Sequence, residues 1–235
     1  MFCLLSSWGL LKAGEIEVLR VSRNIEESTG EQNTDENNGT AISVEKEKES
    51  GAPQIALTFD DGPNPKSTPI LLDGLKERGV KVTFFVIGVN AEKYPEIVKR
   101  ENEEGHIVGN HTYHHVEITK LTEEEAEYEI MRTSDLVEII TGRPTEFMRP
   151  PFGVWQKKME LEFEVMPVLW TVDPLDWTTE NEDEIVNKVV TDVEENDIIL
   201  LHDCYLSSVN AALRIIDILQ KEEYEFVTVD ELLLN

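Results

Sequence analysis

Two aspartates stand side by side in "ALTFDDGP" (56–63), directly after an apolar run. Adjacent carboxylates repel, so Asp60 and Asp61 make sense together only if they have separate tasks. "GNHTYHH" (109–115) adds His111 and His115, and a spacing of four puts both imidazoles on one face of a helical turn. Neutral imidazoles suit zinc and related divalent metals. Two histidines and one aspartate leave a position open for water, the pattern of catalytic rather than structural zinc. The other aspartate then stays free as a general base. A cation between them offsets their repulsion and keeps both ionised near neutral pH. At this level the division of labour between Asp60 and Asp61 is open. So is the choice between fourth ligand and acid for His202. A metal site with a separated acid/base pair suits hydrolysis of an acyl or phosphoryl bond. Two other histidines read differently: His114 should point away from the pair, and His106, inside a predicted strand, reads as a core residue.

These residues need a frame that brings them to one place. From Gln54 onward, short β-rich runs alternate with helical patterns. The runs at 54–59, 81–87, 106–109, 145–148, 164–171, 197–201 and 225–229 predict strands. Helices are expected at 67–78, 92–104, 122–140, near 181–195 and at 207–222. Gly79 and Gly105 are natural stops, and Thr122 with Glu125 has the spacing of a capping box. Mostly apolar strands alternating with helices imply a parallel sheet covered by helices. About seven such units predict an α/β fold of the distorted, incomplete (β/α) barrel kind, with a doubly wound open sheet as the alternative. In that frame Asp60, Asp61, His111, His115, Arg149, Asp173, Asp176, His202 and Asp203 all fall at the carboxyl ends of strands. That edge carries the active site in β/α folds.

Composition narrows the partners. With 21 basic and 48 acidic residues the net charge is 21 − 48 = −27. Nucleic acid and anionic membranes both need a basic footprint, so neither is an expected partner. No run approaches the roughly 18–20 apolar residues of a membrane span. Cys3 and Cys204 are the only cysteines, which excludes a disulfide framework and a cysteine zinc site. Cys204 reads as a small buried apolar residue. Residues 24–51 have the polar, acidic composition of a linker, and 15–23 alternates like a short strand. The chain therefore divides into an extension with acidic linker (1–51) and one catalytic domain (52–235). The opening "MFCLLSSWGLLKAG" is apolar without a basic leader, and reads as a signal or anchor remnant or as an ordinary terminus.

Five motifs together, "TFDDGP" (58–63), "HTYHH" (111–115), "RPPFG" (149–153), "DPLDW" (173–177) and "LLHD" (200–203), resemble those of the polysaccharide deacetylases, the NodB-homology proteins of carbohydrate esterase family 4. They occur in the family's order, and the resemblance covers about residues 52–235. It is strongest to peptidoglycan N-acetylglucosamine deacetylases. The resemblance implies a distorted β/α barrel. It also implies Asp60 as general base, with Asp61, His111 and His115 binding one divalent metal, usually zinc, with cobalt, manganese or nickel as substitutes. Arg149 would orient Asp60. His202 would be the general acid, held by Asp176. The Phe152 N–H would help bind the oxyanion, and Trp177 would wall the groove. Phe152 stands where the family often has tyrosine. The implied reaction is metal-dependent hydrolysis of the acetamide of N-acetylglucosamine units, releasing acetate. Chitin oligosaccharides and acetylated xylan are the alternative substrates. The implied setting is the cell wall or cell surface, and a monomer suffices.

Overall fold

The computed structural model describes residues 51–155 and 165–234. The linker, most of the amino-terminal extension and the short strand expected at 15–23 lie outside them. Among the described residues seven strands all pair in parallel: β1 (Gln54–Asp60), β2 (Thr83–Val86), β3 (Ile107–Asn110), β4 (Phe147–Met148), β5 (Met166–Pro167), β6 (Ile198–His202) and β7 (Glu225–Val227). The spatial order is β5-β4-β3-β2-β1-β6, with β7 also paired to β1. A single bridge from Val172 to Ile199 brings the chain beyond β5 back to β6. The sheet is thus curled, an open half-barrel flanked by helices.

Residue alternation along β1 divides its side chains between the two faces of the curled sheet. Ile55, Leu57 and Phe59 face the helices and belong to the main core, with Leu71, Leu75, Val98, Ile185 and Ile215 among their partners there. Ala56 faces the other way, into a smaller inner cluster with Phe85, Phe147, Val168, Ile198 and Val229. With a side-chain period of two, Thr58 and Asp60 share that inner face. Strand β6 repeats the pattern, Ile199 and Leu201 outward and Ile198 inward, so His202 shares the inner face with Ile198.

The helices are α1 (Thr68–Arg78), α2 (Gly88–Lys93), α3 (Pro95–Glu103), α4 (Glu123–Thr141), α5 (Glu182–Asp192), α6 (Leu206–Leu219) and α7 (Val229–Leu234). Gly79, with φ 67°, ends α1 in the left-handed conformation that glycine adopts without a Cβ penalty. Both reciprocal bonds of the Thr122–Glu125 capping box form at the start of α4. The helix expected at 92–104 is two helices. Pro95 lacks an N–H and starts α3 instead of continuing α2. The strand expected at 225–229 stops at Val227, and α7 follows from Val229. Among the described residues no helix is long and apolar enough to cross a membrane.

Candidate active site

Register places the first pair. Asp60, the last residue of β1, is the Cα partner of His202, the last residue of β6, on one side, and of Phe85 on the other. Val86 pairs with Asn110, and Asn110 with Met148, so His111 and Arg149 leave the sheet at the same level. The residues singled out from sequence therefore meet at one carboxyl edge.

Asp61, His111 and His115 each present a ligand atom, and these atoms lie within 4.8 Å of one another. Asp61 Oδ1 stands 3.5 Å from His111 Nε2 and 3.4 Å from His115 Nε2. It is buried and has no hydrogen-bond partner. The Arg149 carbonyl lies 2.6 Å from His111 Nδ1, and a carbonyl only accepts. The ring proton therefore sits on Nδ1, which leaves the Nε2 lone pair aimed at Asp61. Burial and the neighbouring His111 push the His115 imidazole down from its ordinary pKa, toward the neutral form that binds metal. Burial alone would raise the Asp61 carboxyl, but it is lowered overall by the imidazoles around it, His111 first and then His202 and His115, whenever these carry a second proton. An orphaned buried carboxylate oxygen between two such imidazoles fits a divalent cation.

Asp60 lies beside this cluster, its Oδ2 3.7 Å from His111 Nε2. Its other oxygen accepts from Arg149 Nη1 at 2.9 Å. Arg149 is wholly buried. Nη1 also donates to Thr58 Oγ1 (2.7 Å), Nε to the Val168 carbonyl (3.1 Å) and Nη2 to the Leu169 carbonyl (3.2 Å). The guanidinium stacks 4.3 Å from the Phe85 ring centroid and 5.6 Å from that of Trp170.

Across the mouth, His202 Nδ1 is 2.8 Å from Asp176 Oδ1, and the His202 backbone N–H donates to Asp176 Oδ2 at 2.8 Å. Burial works against the imidazolium. The hydrogen bond and charge of Asp176, helped by Asp60 and Asp61, overcome it and raise His202 to a pKa of about 9. Phe152 and Trp177 stand at the rim, 63% and 56% exposed. The Phe152 ring lies edge-on to His115 at 4.9 Å. Five of the seven non-glycine residues with positive φ among the described residues are in these loops: Asp61, Thr112, His115, Phe152 and Leu175. Such clustering is typical of sites whose surroundings hold the backbone out of its preferred wells.

The remaining residues from the sequence reading have other roles, and His106 lies at the opposite, amino edge of the sheet. His114 turns to Glu129, at 2.7 Å. His106 precedes β3 rather than lying within it. Its Nδ1 accepts the Val82 N–H, and burial drives its pKa to about 4. Asp173 accepts the Leu175 N–H at 2.8 Å. Cys204 is half-buried, and burial beside Asp61 and Asp203 pushes its thiol pKa up, away from reactivity. Sequence reasoning missed Thr58, which looks like an ordinary strand former but bridges Arg149 to the Ile199 carbonyl. It also missed Asn90, whose amide donates to the Asp61 carbonyl at 2.9 Å.

A family profile for polysaccharide deacetylases matches residues 47–167. Two peptidoglycan-N-acetylglucosamine deacetylases of Bacillus cereus are similar to the chain: one is 41% identical over 75% of this chain and 66% of its own length, the other 38% identical over 76% and 87%. The peptidoglycan-N-acetylmuramic acid deacetylase PdaC of Bacillus subtilis is 41% identical over 76% of this chain, which spans only 38% of PdaC's length. The solved structure of PdaC superposes with a TM-score of 0.75 at 40% identity, covering 77% of this chain and 90% of that one. Sheet, site geometry and these similarities agree: the chain belongs to the polysaccharide deacetylase family.

Proposed function

We propose that residues 52–235 form a catalytic domain that hydrolyses the acetamide of N-acetylglucosamine units in peptidoglycan, and that residues 1–51 are an extension outside the chemistry. The observation that carries this reading is the Asp61–His111–His115 cluster, flanked on one side by the Arg149–Asp60 pair and on the other by the Asp176–His202 pair. The names of the similar proteins point to peptidoglycan as the polymer. A wall polymer lies outside the cytoplasmic membrane, so this reading puts the enzyme at the cell surface or beyond it. All the machinery comes from one chain, and the enzyme works as a monomer.

Asp61, His111 and His115 would hold one divalent ion. Their two nitrogens and one carboxylate suit zinc, with cobalt, manganese or nickel able to substitute. When bound, that ion supplies Lewis acidity, polarising the acetamide carbonyl and acidifying water. Asp60 takes a proton from the attacking water. Arg149 fixes the carboxylate that does so, because its planar fork engages Asp60 and three other acceptors at once. The Phe152 backbone N–H helps hold the charge that develops on the carbonyl oxygen, a contribution of about 2.7–4 kcal/mol for one such donor. His202 gives its proton to the departing amine, which leaves poorly without it. Asp176 keeps His202 protonated and oriented. Trp177 offers an exposed ring face to a sugar.

Acetate release from peptidoglycan, chitopentaose and acetylated xylan by zinc-loaded protein, with a chelated control, tests the proposal. Chelator-sensitive release from peptidoglycan above the other two is expected. Release from chitopentaose alone moves the substrate to chitin, release from xylan alone makes the enzyme an esterase, and no release from any substrate overturns the reading.

A further inference from the structure

Asp203 follows His202 at the end of β6 and is fully buried. Its carboxylate lies against Gly62, where an added Cβ would stand 2.5 Å from each oxygen. It accepts a hydrogen bond from the hydroxyl of Thr68, the first residue of α1. That hydroxyl has one proton, committed to Asp203, and its oxygen accepts the Asn64 N–H at 2.8 Å. The side-chain amide of Asn64 donates to the Cys204 carbonyl at 3.4 Å. The loop from Asp61 to Thr68 is thus held from the β6 side by Asp203 and its neighbour. From the β2 side the Ile87 N–H donates to the Gly62 carbonyl at 3.0 Å, and Asn90 to the Asp61 carbonyl. Within this grip Asp61 keeps a φ of 71°, which a free loop would relax. One oxygen of Asp203, Oδ1, has no hydrogen-bond partner, a costly arrangement if anchoring alone were needed.

We propose that Asp203 is a positioning residue that locks the Asp61 loop to the strand carrying His202, and so fixes the metal-ligand geometry and its register with the acid. The proposal rests on the deacetylase reading above. Its effect on the metal is read without turnover, by competition with a chromogenic chelator for zinc. Asp203→Ala and Thr68→Val should each weaken zinc binding by about 10–100-fold. At saturating zinc both should lower kcat on the acetylated substrate with little change in KM. Thr68→Ser, which restores the hydroxyl, should return affinity and kcat toward wild type. If Asp203→Ala does not fold, the Thr68→Val and Thr68→Ser pair decides. Thr68→Val with a lower melting temperature but unchanged zinc affinity and kcat overturns the inference, because Asp203 would then serve the fold only. A wild type that binds no zinc or releases no acetate defeats the deacetylase reading and this inference together. A wild type that does both, beside an unaffected Thr68→Val protein, defeats only the inference.

Discussion

Lysine could not replace Arg149. The guanidinium reaches four acceptors in fixed directions while two aromatic rings cover it, and an ammonium has neither the fork nor the planar faces. That rigidity keeps Asp60 beside the Asp61–His111–His115 cluster, where the proposed mechanism uses it as a base and not as a ligand. Asp60→Asn should accordingly retain zinc at wild-type stoichiometry and lose about 10²–10⁴-fold in kcat, as checked by metal analysis alongside acetate release. The opposite side of the mouth is tuned by charge. In the proposed mechanism His202 acts in its protonated form, so the rate should fall as pH rises through its pKa, about 9 in this structure. Asp176→Asn removes the main group that raises it. The alkaline limb of the kcat–pH profile should then move to lower pH by about one unit or more. An unmoved limb would take His202 out of the acid role.

Elements set these residues in place through close backbone contacts. Gly88, at the start of α2, donates its N–H to the Thr112 carbonyl, and Val89 donates to that of Tyr113, both at 3.0 Å. The helix start thereby grips the loop between the two histidines. A Cβ at Gly88 would come within 2.6 Å of Thr133 Oγ1 and 2.8 Å of the Tyr113 Cα. Gly88→Ala should therefore destabilise the protein by about 1–3 kcal/mol in denaturant titrations and weaken zinc binding with it. The strands were legible in sequence wherever an apolar run is covered on both sides, as in β1 and β6. In the described part of the strand read at 164–171, from residue 165 on, only Met166–Pro167 pairs, because the chain beyond it bonds elsewhere: Arg149 takes the Val168 and Leu169 carbonyls that a neighbouring strand would use. That capture depends on a residue 19 positions earlier, so no local pattern announces it. The acids, bases and histidines were legible because polar groups at the ends of apolar strands lack another explanation. Thr58, Asn90 and the Thr68–Asp203 contact were not, because their types are common in strands, caps and turns.

For the whole molecule, the curled sheet brings loops from both of its ends to one mouth. Asp61, His111 and His115 come from β1 and β3, while His202 and Asp176 come from β6 and the segment before α5. A cation shared by two loops binds the folded chain alone, so it should stabilise that chain by mass action. At 100 times its Kd, zinc should raise the melting temperature by roughly 5–10 °C, and chelator should remove the gain. An identical melting temperature with and without chelator would mean that the three ligands do not hold metal together. The left-handed residues bear on any effort to make this enzyme more heat-tolerant. Replacing such residues with glycine ordinarily relieves local strain, and a search guided by stability alone would select Asp61, His115 and Phe152 early. All three carry side chains or backbone groups of the proposed chemistry. Leu175, with φ 57° and an exposed side chain, is the position in that group where the change spares the metal cluster. Stability and turnover therefore compete residue by residue along this rim, and selection for one should be monitored with the other.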